Sequence, residues 1–411
     1  MKLTRYKLSK LIHVSRGASL PGTGYADEGR YLRLTLANFK EEGGFKEFKS
    51  TEGKFFTGDF KEKFLMKRGD LITPLTEQCP GLLGSVAFIP CDDLYIQSQD
   101  VGLIECDEAK INKRFAYYLF LTKSVREQIA AKSQQTKIRH TSPEKIEDVT
   151  VDIPDRSDQL RIAGLLGSLD EKITICRKKI AELEALAKLV YERWFVEFEF
   201  PNADGRPYKS NGGKMVWNET LKRNVPEGWS VRMLPEIADY LFGFPFDSAK
   251  FNSNGIGTSI VRIRNVKDGF TSDFTTEVAP DEYYIDNGDF IIGMDGYFDM
   301  NLWIGGKAYL VQRSCRVTAK NPIHQGYLIR ALYLPIKHLE QSLTGATLAH
   351  LGKAHLDRIP ILLPPEDVSA FHFLNEIDAR KVQAGIEIRR LSEFRDWLLP
   401  MLMNGQVEVR A

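Results

Sequence analysis

The stretch DQLRIAGLLGSLDEKITICRKKIAELEALAKLVYERWFVEF, residues 158–198, decides the architecture of the chain. Leu166, Leu169, Ile173, Cys176, Ile180, Leu183, Ala187, Val190 and Trp194 follow one another at alternating steps of three and four. On a helix that spacing draws one narrow apolar seam, the a/d pattern of a coiled coil. Charges fill the faces between, among them Glu171, Lys172, Arg177, Lys178, Lys179, Glu182, Glu184 and Lys188. No Gly or Pro interrupts the run after Gly167, and Pro201 ends it. About 40 residues at 1.5 Å each make a rod of roughly 60 Å. A seam that narrow on a rod that long cannot be buried by one small domain; it requires a second long helix.

The chain supplies one near its other end. Between Asp367 and Met403 the spacing recurs in Leu374, Ile377, Ala384, Ile388, Leu391, Leu398 and Leu402, with charges on the seam at Lys381 and Arg395. Pro400 is expected to kink or fray the last turn. Setting Leu169-Asp170 on Ile377-Asp378 brings Ile180 onto Ile388, Leu183 onto Leu391 and Val190 onto Leu398. The rod is therefore the last element of a duplicated unit. The residues expected to form the helix–helix packing are Leu166, Leu169, Ile173, Ile180, Leu183 and Val190 against Leu374, Ile377, Ile388, Leu391 and Leu398.

The segments before the rods repeat as well. Gly17 has a counterpart in Gly243, Tyr31-Leu32-Arg33-Leu34 in Ile260-Val261-Arg262-Ile263, and Gly69-Asp70-Leu71-Ile72 in Gly288-Asp289-Phe290-Ile291. His140 with Val151 and Pro154 falls on His350 with Ile361 and Pro364. Short alternating or apolar runs bounded by Gly and Pro read as strands, while 110–131 reads as helical. The expected fold class is α+β: two strand-rich mixed domains joined by two long helices in an antiparallel coiled coil, with an internal pseudo-two-fold duplication. The expected boundaries are 1–155 for the first domain, 156–198 for the first rod and 199–226 for a turn-rich linker. The second domain follows at 227–365, the second rod at 366–403 and a tail at 404–411.

Composition sets limits. The 411 residues allow two or three domains, and 43% hydrophobic with 27% charged residues is ordinary for a globular chain. The net charge of +1 means that nucleic-acid affinity has to come from local patches. Five scattered cysteines with no C-x-x-C pair argue for a reducing compartment and against a disulfide framework or zinc site. There is no signal-peptide core and no run of apolar residues long enough for a membrane span, so the expected location is the cytoplasm. No phosphate-cradling G-x-x-x-x-G-K-[ST] loop and no H-E-x-x-H pair occurs. Leu363-Pro364-Pro365-Glu366 is a helix entry and lacks the Asn-Pro-Pro-aromatic or Asp-Pro-Pro-aromatic form of an amino-methyltransferase. Catalytic residues, metal ligands and cofactors are expected to be absent.

This layout resembles the specificity subunit of type I restriction–modification systems over essentially the whole chain. The most specific residues are Ile153-Pro154-Asp155-Arg156-Ser157-Asp158-Gln159-Leu160-Arg161-Ile162, then Leu169-Asp170-Glu171-Lys172-Ile173, Tyr191-Glu192-Arg193-Trp194-Phe195 and the turn Gly212-Gly213-Lys214-Met215-Val216-Trp217. The Glu-Gln usual at the start of that helix is Asp158-Gln159 here, and the second copy lacks the pair. The resemblance implies a non-catalytic subunit whose two target recognition domains read a split, asymmetric site on double-stranded DNA. It implies two methyltransferase subunits and restriction motor–nuclease subunits as partners, and no membrane.

Candidate DNA contacts follow from residue type. Phosphates call for Lys and Arg, and base edges for forked or amide side chains. From Lys110 to His140 there are eight Lys/Arg (Lys110, Lys113, Arg114, Lys123, Arg126, Lys132, Lys137 and Arg139) against the single acid Glu127. That run is either a solvated helix face or a DNA-facing patch; the loop Gln134, Gln135, Thr136, Lys137 with Arg139 favours DNA. In the second copy Arg262, Arg264, Asn265 and Lys267 alternate with apolar residues, as a strand with one polar face would. Arg16, Thr344, Thr347 and Lys353 complete the candidates. His140 and His350 sit at matched places, where a structural role is the simpler reading. An enzyme carrying its own active site, a nuclease or a methyltransferase, and a scaffold that never touches DNA are the two rival readings.

Overall fold

The computed structural model describes residues 1–48, 50–78, 80–133, 139–343, 349–365 and 369–409. It divides into two compact units: Met1–Glu171 with Leu391–Ala411, and Lys172–Arg390. Each long helix, Arg156–Tyr191 and Ser369–Met403, contributes residues to both.

In the first unit the central sheet runs in the order Ile12–Arg16, Val101–Cys106, Leu71–Pro74, Ala87–Phe88, all neighbours antiparallel. A smaller sheet pairs Tyr25–Ala26, Phe55–Phe56 and Tyr31–Arg33, and closes with Tyr95–Ile96 running parallel to the last of these. Thr4–Lys7 pairs with Thr150–Ile153, the strand that leads into the long helix. The region 110–131 holds two helices, Lys113–Phe120 and Lys123–Lys132. They are parted at Thr122, which takes an extended conformation and accepts from Val125 N–H as the N-cap of the second. Phe115, Tyr118, Leu119 and Ile129 are buried against the sheet, in one cluster with Leu166, Leu398 and Leu402.

The second unit repeats this plan. Ala238–Phe242, Ser314–Ala319, Phe290–Gly293 and Met300–Leu302 form the same four-stranded antiparallel order. Thr258–Val261 runs parallel to Ala308–Leu310, and Ser230–Met233 pairs with Pro360–Leu363. Two of the repeats seen in sequence have a clear physical cause. Gly69 and Gly288 both have positive φ, and the following Asp70 and Asp289 each accept from a backbone N–H three residues back at 2.8 Å. A Cβ at Gly17 would collide with the Ser98 carbonyl, and one at Gly243 with the Val311 carbonyl.

One of the sequence matches is two residues out of step with the structure. Asn38 Oδ1 accepts from Thr35 N–H and Asn265 Oδ1 from Arg262 N–H, both at 2.9 Å, so these two turns correspond. Tyr31–Leu34 therefore matches Thr258–Val261, two residues before the counterpart expected at Ile260–Ile263. A slip of two keeps every side chain on its face of the strand, so periodicity cannot detect it.

The two rods are linked to each other within each unit. Each residue of the first seam from Leu166 to Trp194 is buried or half-buried, as are those of the second from Leu374 to Leu402. In the second unit Lys172 pairs with Glu387 at 2.7 Å and Glu184 with Lys381 at 3.2 Å, and Phe195 stacks on Phe371 at 5.6 Å. As the first helix ascends, its partner descends, so the two are antiparallel. In the first unit Asp170 takes Arg395 at 2.7 Å and the Tyr118 hydroxyl at 2.6 Å. The charges that interrupt the second seam are thus inter-helix links: Arg395 and Lys381 are about one-fifth exposed, each on a carboxylate of the other rod. The α-helix of the first rod stops at Tyr191, short of Phe198, and passes through a π turn, Glu192–Val196, to Phe198 at φ 63°. The second rod continues through Pro400 to Met403, with buried Leu402 and Met403 anchoring the turn beyond the proline.

The segment expected as a linker is ordered. It carries the hairpin Met215–Asn218 with Arg223–Pro226. Phe200 stacks on Tyr208 at 4.6 Å and on Trp229 at 5.3 Å, tying the segment to the base of the second unit. Among the described residues no helix is long and apolar enough to cross a membrane.

Candidate nucleic-acid interface

In the first unit the central strand Leu71–Pro74 runs on through Leu75 and Thr76–Glu77 into a loop at one end of the sheet. Glu77 is buried, and its Oε2 accepts from the N–H groups of Gly81, Leu82 and Leu83 at 2.8–3.0 Å. Its Oε1 faces Arg139 Nη1 at 3.5 Å. Arg139 and His140 pair with Glu77 and Thr76 as a short antiparallel ladder. A carboxylate inside the fold therefore rigidifies the loop with one oxygen and holds a half-exposed guanidinium with the other. Arg126 braces the same loop from behind, donating to the carbonyls of Glu41 and Gly81; burial pulls its pKa down from the usual arginine value.

The second unit builds the same platform from other side chains. Asp295 lies where the first has Thr76, bridged to His350 as Thr76 is to His140. Its carboxylate, mostly buried, lies 2.6 Å from His350 Nδ1 and 2.9 Å from Arg313 Nη1, both of which are exposed. Gly296 N–H donates to the Ala349 carbonyl at 2.9 Å, and Phe298 N–H to Glu340 at 2.7 Å. Between these two anchors Tyr297 stands 79% exposed.

The residues singled out from sequence fare differently. Gln134, Gln135, Thr136, Lys137, Thr344 and Thr347 lie outside the described residues. Arg16 is exposed at the end of its strand, and Arg139 belongs to the platform. The expected polar strand over Arg262, Arg264, Asn265 and Lys267 is instead a turn of helix, Ile263–Val266. Asn265 spends its carbonyl on the Arg262 N–H, a cap that ends the strand. Arg264 is clamped on Asp273 at 2.6 Å, and Arg262 lies 5.3 Å over the Phe251 ring. Lys267 is exposed on that turn. Lys353 pairs with Asp357 at 2.7 Å.

The basic run 110–140 is not a bare patch. Lys110, Arg114, Lys123, Lys132 and Arg139 form ion pairs with Asp107, Glu171, Glu127, Asp148 and Glu77. Lys113 and Arg126 donate to backbone carbonyls. Lys132, with Lys7, holds the Asp148 carboxyl down at about 2. Most of these acids lie outside the run, so a local charge count overstates the free charge. The exposed pairs are weak enough for a phosphate to compete.

Sequence reasoning also missed Glu77, Asp295, Arg313 and Tyr297. The one usable signal was the Gly-Asp repeat: followed a few residues downstream, it leads to both loops. It also passed over the work of Gln159. That buried amide accepts from Asn112 N–H at 2.9 Å and donates to the carbonyls of Lys110 and Pro154, fixing the entry of the long helix. Among the described residues no cluster of His, Cys, Asp and Glu could hold a metal.

Comparison with known proteins bears on this geometry. A family model described as the type I restriction modification DNA specificity domain matches residues 6–185 and again 226–387. The specificity subunit of the type I restriction enzyme MjaIX from Methanocaldococcus jannaschii is 24% identical over 308 residues, 72% of this chain and 69% of that one. The HindI specificity subunit of Haemophilus influenzae is 23% identical with 94% of this chain and 93% of its own covered. Among solved structures, the S subunit of a type I system from M. genitalium superposes with a TM-score of 0.60 at 17% identity, covering 98% of this chain and 96% of that one. At that identity the match speaks for the fold.

Proposed function

Since the chain belongs to the type I restriction modification DNA specificity family, we propose that its two domains read the two different halves of one split, asymmetric site on double-stranded DNA. It is a DNA specificity subunit and is itself non-catalytic; it works with DNA and the other subunits of its system. In this reading the paired rods carry two methyltransferase subunits and restriction motor–nuclease subunits, and the assembly acts in the cytoplasm.

The observation that carries the split-site reading is the platform built twice with different surfaces. A buried carboxylate presents Arg139 in the first domain, while Asp295 presents His350 and Arg313 in the second. The guanidinium groups of Arg139 and Arg313, held in fixed positions, suit phosphate contacts that set register on a duplex. Different side chains on a shared frame suit two different half-sites.

The test is a domain exchange. The chain is assembled with a methyltransferase partner and given S-adenosylmethionine and a random-sequence duplex library. Its methylated sites should share a two-part motif. Replacing residues 1–155 by the equivalent domain of a relative should change one half of the motif and leave the other intact. A change in both halves, or methylation and cleavage by the chain alone, defeats the reading. A smaller change is expected from Arg139→Ala. Loss of one phosphate contact should weaken binding of the complex to all sequences alike, and flatten the slope of log K against log salt by about 0.9. An unchanged slope removes Arg139 from the phosphate contacts.

A further inference from the structure

The two platforms correspond residue by residue. Leu75 N–H donates to the Asp100 carbonyl and Met294 N–H to that of Arg313, while the Leu75 and Met294 carbonyls accept from Thr141 and Leu351. Three residues beyond each lie Gln78 in the first loop and Tyr297 in the second. Both are exposed. Gln78 follows Glu77, whose carboxylate takes the N–H groups of Gly81, Leu82 and Leu83, and Tyr297 lies between the anchored Gly296 and Phe298. We propose that this one position is where each domain reads a base, Gln78 in the first half-site and Tyr297 in the second.

The chemistry of the two side chains suits that task and no packing role explains them. An exposed tyrosine ring next to buried Phe298 contributes nothing to the core, yet its backbone is fixed at both neighbours. A rigidly presented ring can lie on a thymine methyl or stack on a base. An exposed amide can bond an adenine edge in two places. Arg139 and Arg313 flank the two positions with guanidinium groups suited to the neighbouring phosphates. A side chain that reads a base has to be held within about 0.5 Å, and Glu77 in the first loop and Glu340 in the second accept backbone N–H groups of those loops.

This inference rests on the split-site reading, and the experiment separates the two. The complex with a methyltransferase subunit is assembled from the unaltered chain and from Gln78→Ala, Tyr297→Ala and Tyr297→Phe variants. Tyr333→Ala, an exposed change on the helix Gln325–Leu343, serves as control. Methylated positions are read from a random duplex library. Gln78→Ala should relax discrimination roughly tenfold at one or two base pairs of one half-site only, the scale of one lost bidentate contact. Tyr297→Ala should do the same in the other half-site, with Tyr297→Phe close to the unaltered chain if the ring makes the contact. Tyr333→Ala should change neither. An unaltered complex that marks no split site overturns the functional reading and this inference with it. A split site left unchanged by both alanine variants, or the same half-site altered by both, overturns this inference alone.

Discussion

Asp378→Ala is expected to destabilise the second unit by about 3–5 kcal/mol, the usual loss when one member of a buried ion pair is removed. Asp378 takes Arg330 through both oxygens, at 2.5 and 2.7 Å, and the two side chains are only 10% and 13% exposed. Arg330 also donates to the Gly326 carbonyl at 2.7 Å, within the first turns of the helix Gln325–Leu343. With the carboxylate gone, the guanidinium keeps that one acceptor and the charge stays buried. The paired change Arg330→Met with Asp378→Leu should recover most of the loss, because an apolar pair of similar volume carries no desolvation penalty. Denaturant unfolding of the two single variants and the double variant supplies the cycle. A loss below about 1 kcal/mol in Asp378→Ala would mean that water screens the pair, and the reasoning fails. The matched Asp170 should matter less, since its partner Arg395 keeps Asp396 at 2.7 Å.

The two aspartates show where sequence is readable and where it is not. The seam was legible because helical spacing is local: nine side chains from Leu166 to Trp194 point to one face whatever the rest of the chain does. The duplication was legible through residues whose backbone demands are severe, such as Gly17, Gly243 and the Gly-Asp turns. Long-range charge was not. Lys381 and Arg395 looked like flaws in the seam because their partners, Glu184 and Asp170, lie some two hundred residues away in sequence. The basic run looked bare for the same reason, with Arg139 paired to Glu77 across 62 residues. The platforms depend on such pairings, which is why composition did not single out Glu77 or Asp295. The Tyr31–Leu34 slip has a different origin: a period of two leaves register undetermined by any multiple of two, and only the Asn38 and Asn265 caps fix it.

Lengthening both rods together should lengthen the unread spacer of the DNA site. The two helices run for 36 and 35 residues. In the second unit the pairs Lys172–Glu387 and Glu184–Lys381 mark matched levels on them. About seven residues inserted between those pairs in each helix add nearly two turns, so the seam returns to almost the same face. The added rise is roughly 10 Å, enough for about three base pairs. DNA also turns once in about 10.5 base pairs, so three added pairs swing the second half-site by roughly 100° about the duplex axis. The expected spacer is therefore one to three pairs longer, the smaller value holding where the domain cannot follow the full rotation. Insertion into one rod alone should instead shift the seam by two turns, so that only one of the two ion pairs can form, and abolish assembly with the methyltransferase subunits. The measurement is the spacing between methylated positions on a random library. An assembled complex with both insertions and an unchanged spacer would show that something other than the rods sets the distance between the two half-sites.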